Sequence, residues 1–181
     1  AMTGQGYTNL MQLSSIAFLE TPDGESPRVD LPTLARLADG LIALSGGPDG
    51  PIDRAIAAGQ PAVAMQRLAQ LKEIFGDRLY VEVQRHGVAA ETEVEPELTD
   101  LAYRLALPLV ATNEAYFPTP DDFEAHDALI CIAEGSYVSV DDRRRLTPEH
   151  GFDGPRPALE LVTCDVSHGI FAALAVFVEA K

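Results

Sequence analysis

The histidines and carboxylates decide first what chemistry is open to this chain. His86, His126, His150 and His168 stand far apart, and none has a His-x-His or His-x3-His partner. Local spacing therefore supplies no pair of imidazoles aimed at one metal ion. His86 precedes Gly87 at the exit of a predicted strand, where it either serves a site or is held by structural hydrogen bonds. His126 lies among Asp121, Asp122, Glu124 and Asp127, and reads either as a charge-relieving partner for them or as a ligand. Asp165 and His168 are three apart, a spacing that an N-cap before a C-terminal helix explains equally well. Ser14, Ser15 and Ser45 lack a Gly-x-Ser-x-Gly context, so acyl transfer has no support. Ser45-Gly46-Gly47-Pro48-Asp49-Gly50 has neither the spaced glycines of a dinucleotide fingerprint nor the Gly-Lys-Ser/Thr of a P-loop. It reads as a tight strand-to-helix turn that needs positive φ.

These residues are carried by alternating helices and strands. Apolar spacing predicts a helix over residues 7–20, a loop to residue 27, and a short helix capped by Asp30 and opened by Pro32. A buried strand follows at residues 41–44, then helices over 52–58 and from Pro61 to about residue 75. Residues 79–83 are β-branched and aromatic enough for a strand. Glu91, Glu93, Glu95 and Glu97 form an acid run leading into a helix over 98–107, where they complement its dipole. A strand over 107–111 precedes a last helix from about Pro120 to Gly135. Strands separated by helices imply parallel pairing. Each predicted strand ends in a polar exit: Ser45-Gly46-Gly47, Gln84-Arg85-His86 and Thr112-Asn113-Glu114. In such α/β folds the strand C-termini form the ligand-binding face, so Gly47, His86 and Glu114 are expected at one end of a parallel sheet, in a shared cleft.

The 181 residues, 46% hydrophobic, suit one domain with a sizeable core. No apolar run reaches the length of a membrane span, and the start has neither the basic nor the apolar region of a signal peptide. Cys131 and Cys164 make no disulfide framework, and Cys131 reads as a small core residue. A cytoplasmic location is expected. The formal net charge of −15 argues against nucleic-acid binding, which needs Lys and Arg against phosphates. Arg143-Arg144-Arg145 is the one basic cluster; with Asp141 and Asp142 before it, it reads as a solvated turn with local ion pairs rather than a phosphate clamp.

Five segments, in order, resemble the PHP (polymerase and histidinol phosphatase) domain that opens bacterial DNA polymerase III alpha subunits. Residues 6–15 resemble its Gly-Tyr-x-Asn-Leu-x-x-Leu-Ser-Ser helix, and residues 40–48 its Gly-Leu-Ile-x-Leu-Ser-Gly-Cys-Pro strand and turn. Residues 75–87, 107–117 and 122–150 supply the other three. The resemblance covers residues 6–152 and leaves 153–181 as an unrecognised segment, expected to hold a last strand and helix. It implies an incomplete, distorted (β/α)7 TIM-like barrel with parallel strands alternating with helices.

In that family a metal cluster sits at the strand C-termini. Its Cys, Asp and His positions hold Gly47, Glu114 and Tyr116 here, and the family's opening His-x-His strand is absent. The resemblance therefore implies an N-terminally truncated piece of a longer polymerase, with only vestigial metal positions. Catalytic residues, cofactors and resident metals, zinc and manganese included, are expected to be none. The implied role is structural: supporting the replicative polymerase and binding its proofreading exonuclease subunit, with homodimerisation through an exposed sheet edge as a further expectation. The alternative is a stand-alone metal-dependent phosphoesterase of the same superfamily, which would draw on His86, Glu82, Glu114 and His168.

Overall fold

The computed structural model describes residues 1–151 and the backbone of residues 177–179. Among the described residues six α-helices and five short strands follow one another: α1 (Gly4–Leu19), β1 (Arg28–Asp30), α2 (Leu31–Leu37), β2 (Ala43–Leu44), α3 (Pro51–Ala57), α4 (Pro61–Phe75), β3 (Leu79–Val83), α5 (Ala89–Arg104), β4 (Leu109–Ala111), α6 (Phe123–Glu134) and β5 (Phe177–Glu179). The strands β2, β3 and β4 form a three-stranded parallel sheet with β3 in the centre, and β1 pairs with β5, also in parallel. Among the described residues the architecture is thus a mixed α/β fold with two separate parallel sheets.

Local chemistry explains most boundaries. The Asp30 side chain accepts from Thr33 N at 2.9 Å, and Pro32 sits in the first turn of α2. Gly135, in the left-handed region at φ 64°, closes α6. Thr119 and Asp122 form a capping box ahead of α6. The N-terminus of α1 packs on the turn before β2: Asn9 Nδ2 donates to Asp39 O at 2.9 Å, and a Cβ on Gly6 would overlap the Gly40 carbonyl. Arg78 ties the same region to β3, donating to Ala38 O at 2.6 Å and Leu41 O at 2.7 Å. Leu13, Ile52, Leu68, Leu79, Val81, Leu98 and Leu101 are fully buried where the helices meet the sheet. Removing such side chains from water is the main source of stability.

Two expectations change. The helix α5 begins at Ala89, not at residue 98, so the acid run lies within it and Pro96 is interior. Proline there removes one helical hydrogen bond, yet the helix extends upstream of it to Ala89, where Glu91 in its first turn is bound by His86. The strand β1 lies where residues up to 27 read as loop and Asp30 as a cap alone; three residues are too few for alternation to register. Within the unrecognised segment, β5 is a strand; the helix expected there, with Cys164, Asp165 and His168, lies outside the described residues. Cys131 is buried, as its place in the apolar run predicts.

Candidate functional site

The register of the three-stranded sheet brings its exits to one end. Tyr80 O accepts from Ser45 N at 3.0 Å, and the Ser45 hydroxyl then accepts from Glu82 N at 2.9 Å, so β2 ends in a side chain that takes over the ladder. On the other flank Val83 O accepts from Thr112 N at 3.2 Å, and the Thr112 hydroxyl donates to Glu82. The Gln84 side chain bridges these exits. Its amide donates to Glu82 and Thr112, each at 3.3 Å, while its oxygen lies over Gly47. A Cβ at residue 47 would stand 2.6 Å from Gln84 Oε1.

His86 is buried at 3% exposure and fully engaged. Its backbone N donates to Glu91 Oε2 at 2.6 Å, its Nδ1 contacts Glu91 Oε1 at 2.6 Å, and its Nε2 contacts Asn113 Oδ1 at 2.8 Å. The Asn113 amide nitrogen faces Gly151 O at 3.3 Å, which orients its oxygen toward the imidazole. Both ring nitrogens thus meet oxygen acceptors, the arrangement of an imidazolium. The hydrogen bond to Glu91 raises the His86 pKa; for Glu91, burial pushes upward, but the bonds from the His86 ring and backbone N, with the charge of His86, together prevail and lower its pKa.

The ring of His150 stacks on His86, with centroids 4.0 Å apart and planes 16° from parallel. His150 Nδ1 accepts from Thr147 N at 3.1 Å, so this ring is neutral. Burial first, and the charge of His86 second, hold its pKa below the ordinary value. The arm that carries it is tied down beside β4. The Thr147 hydroxyl donates to His86 O at 2.6 Å, Tyr116 N donates to His150 O at 2.9 Å, and Gly151 bridges Phe117 in parallel.

Among the described residues, His86, Glu91 and His150 are the one group of three potential donors close enough, within 4.8 Å, to share a metal ion. Their geometry opposes it. Parallel stacked rings aim their in-plane lone pairs side by side rather than at one point, and both His86 nitrogens and Nδ1 of His150 are already bonded. The triad is a hydrogen-bonded clasp between β3, α5, β4 and the 147–151 arm.

The resemblance marks Gly47, Glu114 and Tyr116 as the family's ligand positions. Gly47 offers no donor and its place is filled by Gln84. The Tyr116 hydroxyl donates to Glu114 Oε1 at 2.6 Å, and burial, reinforced by that contact, pushes the phenol up to about 12. It stays neutral and is a poor ligand.

Gly47, His86 and Glu114 lie at the same end of the sheet, and of the three only Gly47 lines the small cleft described there. A small cleft is lined by Gly47, Asp53, Glu82, Gln84 and Glu91 among others, whereas His86 is sealed beneath His150 and Asn113. His126 packs against Tyr116 and Phe117, with centroids at 5.8 and 5.4 Å, so aromatic contact joins the charge relief expected of it. Arg143 departs from the sequence reading: its side chain is buried and grips Asp127 with two bonds of 2.6 Å, not Asp141 or Asp142 in a solvated turn. A partner sixteen residues back on α6 cannot be seen in local sequence. Sequence spacing did not single out two residues of the exit region: Glu91, whose pairing with His86 shows only as an acid just past the Gly87 turn, and Asp53, a carboxylate on the buried side of α3.

Residues 1–86 match the PHP domain family. Over 161 residues the chain is 48% identical to the DNA polymerase III subunit alpha of Caulobacter vibrioides, covering 89% of this chain and 14% of that protein. It is 39% identical to the subunit of the same name from Pseudomonas aeruginosa over 145 residues, covering 80% of this chain and 12% of that protein. With the Rickettsia felis protein of that name it shares 35% identity over 156 residues, 86% of this chain and 13% of the relative. The chain thus spans a small part of the length of each relative. No helix among the described residues is long and apolar enough to cross a membrane. A match to the domain family over residues 1–86, continued by similarity to these subunits across most of the chain, means that the chain belongs to the PHP-domain family, in the form carried by DNA polymerase III alpha subunits.

Proposed function

We propose that this chain is a non-catalytic, structural PHP-domain piece of a replicative DNA polymerase alpha subunit. In this reading it is part of an incomplete (β/α)7 barrel, works in the cytoplasm in DNA replication, buttresses the polymerase and offers a surface to the proofreading exonuclease subunit. The observation that carries it is the state of the strand exits. The slot of one family ligand is filled by the Gln84 side chain over Gly47, and two others, Glu114 and Tyr116, are hydrogen-bonded to each other. Charge adds support, since a formal −15 repels nucleic acid. The one buried arginine of the basic cluster, Arg143, is consumed by Asp127.

The test pairs activity with binding. The chain is expected to release no phosphate from phosphomonoesters and no nucleotides from DNA 3′ ends, with zinc or manganese added. The triple variant Gly47→Cys, Glu114→Asp, Tyr116→His is expected to stay inactive as well. It gains at most three donors, whereas a two-metal phosphoesterase site holds ions about 3.5–4 Å apart with ligands for each. Turnover by the unmodified chain would overturn the reading and restore the phosphoesterase alternative. For the partner, the chain immobilised on a biosensor is expected to bind purified proofreading exonuclease, and absence of saturable binding would remove that part of the proposal.

A further inference from the structure

Four carboxylates line the cleft under the exits of β2 and β3: Asp53, Glu82, Glu91 and Glu95. Two are neutralised. Glu91 gives both oxygens to His86, and Glu95 gives both to Arg85. The other two are not: Glu82 receives only the neutral Thr112 and Gln84 donors on its side chain, and Asp53 Oδ1, on a residue 4% exposed, has no hydrogen-bond partner. Among the described residues no Lys, Arg or His is bonded to either. Buried carboxylates are paired or hold a cation as a rule. The cleft has a free volume of about 10 Å³, close to what one water-sized species needs.

We propose that this cleft binds one hard divalent cation of the Mg²⁺ or Ca²⁺ class, held by Asp53 and Glu82, with the Gln84 amide oxygen beside it. The donor set is oxygen only, which selects hard cations over zinc. Two carboxylates leave room on the solvent side for the waters that Mg²⁺ keeps. None of these residues occupies a family ligand position named above; Gly47 lines the cleft but contributes no donor. The ion would replace the proton that Asp53 otherwise retains up to about pH 7, and it would brace α3 against β3. This site is independent of whether the strand exits hydrolyse anything.

The test uses the full 181-residue chain, stripped with EDTA and exchanged into chelator-free buffer at pH 8. Titration calorimetry with MgCl₂ and CaCl₂ is expected to show one ion per chain. The Tm should rise by about 5–10 °C at a hundredfold excess over Kd. Asp53→Asn and Glu82→Gln, each checked for folding by circular dichroism, should weaken binding roughly 10- to 100-fold or more. Glu114→Gln should leave it unchanged. No saturable binding by the parent chain, undiminished binding in both cleft variants, or loss of binding in Glu114→Gln would each overturn the proposal. None of these results bears on turnover, so failure here is distinct from failure of the functional reading.

Discussion

Replacing Asp53 by asparagine should stabilise this protein, and by an amount that depends on pH. Burial, then the charges of Glu82 and Glu91, raise the Asp53 pKa from 3.8 to about 7. The folded chain therefore holds this proton more tightly than the unfolded chain does. Between pH 4 and 7 the native state binds more protons, so stability falls as pH rises and the loss is complete above pH 7. At about 1.4 kcal/mol per pKa unit, a raise of roughly three units corresponds to ~4 kcal/mol. Because the cleft opens to solvent on one side, about 2–4 kcal/mol is the expected gain for Asp53→Asn at pH 8. Against a typical total of about 5–15 kcal/mol, that is a large fraction. At pH 4 the protonated acid and the amide carry the same charge, so the gain should shrink to within about 0.5 kcal/mol. Urea unfolding of both proteins, in EDTA and at half-unit steps from pH 4 to 8, isolates the effect, since every other titrating group is common to both. A stability difference that is flat with pH, or a variant less stable than the parent at pH 8, would refute the reasoning.

Gly6→Ala should cost about 2–3 kcal/mol, because its new Cβ overlaps backbone at Gly40 that has no rotamer with which to yield, while Gly4→Ala, which meets nothing within 4 Å, should be neutral or slightly stabilising in the same urea melts. The His86–His150 stack predicts a pH window for docking of the 147–151 arm. His150, facing His86, Glu91, Glu114 and Thr147, is lowered from 6.5, so its contribution is present above that value and lost as pH falls; His86 is raised from 6.5, so its contribution is present below that value and lost as pH climbs through the folded pKa. Amide protection at Thr147–Gly151, taken relative to intrinsic exchange, should be greatest near pH 6.5 and fall on either side, and His150→Asn, which retains an acceptor for Thr147 N, should abolish only the acid limb. Finally, β2 is an outer strand of its sheet, and static light scattering across a range of concentrations should show a dimer forming through an exposed edge; a constant monomer mass would rule that out.

Where a boundary is set by neighbours in the chain, the sequence was enough. Asp30 with Pro32, Gly135 after α6, the β-branched run Leu79–Val83 and the positive φ of Gly46 in the turn after β2 all follow from local sterics and short-range hydrogen bonds. So does the shared direction of the three strand exits, because helices between strands force parallel pairing. The family was readable in the same way, as residue patterns at fixed spacing. What depends on distant partners was not. Glu91 looked like one more acid favouring a helix dipole until the turn at Gly87 folded it back onto His86. Arg143 chose Asp127 on α6 over its own neighbours, and Gln84 filled the space above Gly47 from a different strand. Asp53 is an ordinary surface acid by composition. Only packing α3 against α4 and α5 strips its water and sets it beside Glu82 and Glu91. Desolvation and Coulomb interactions depend on distances between elements, and a linear sequence does not contain those distances.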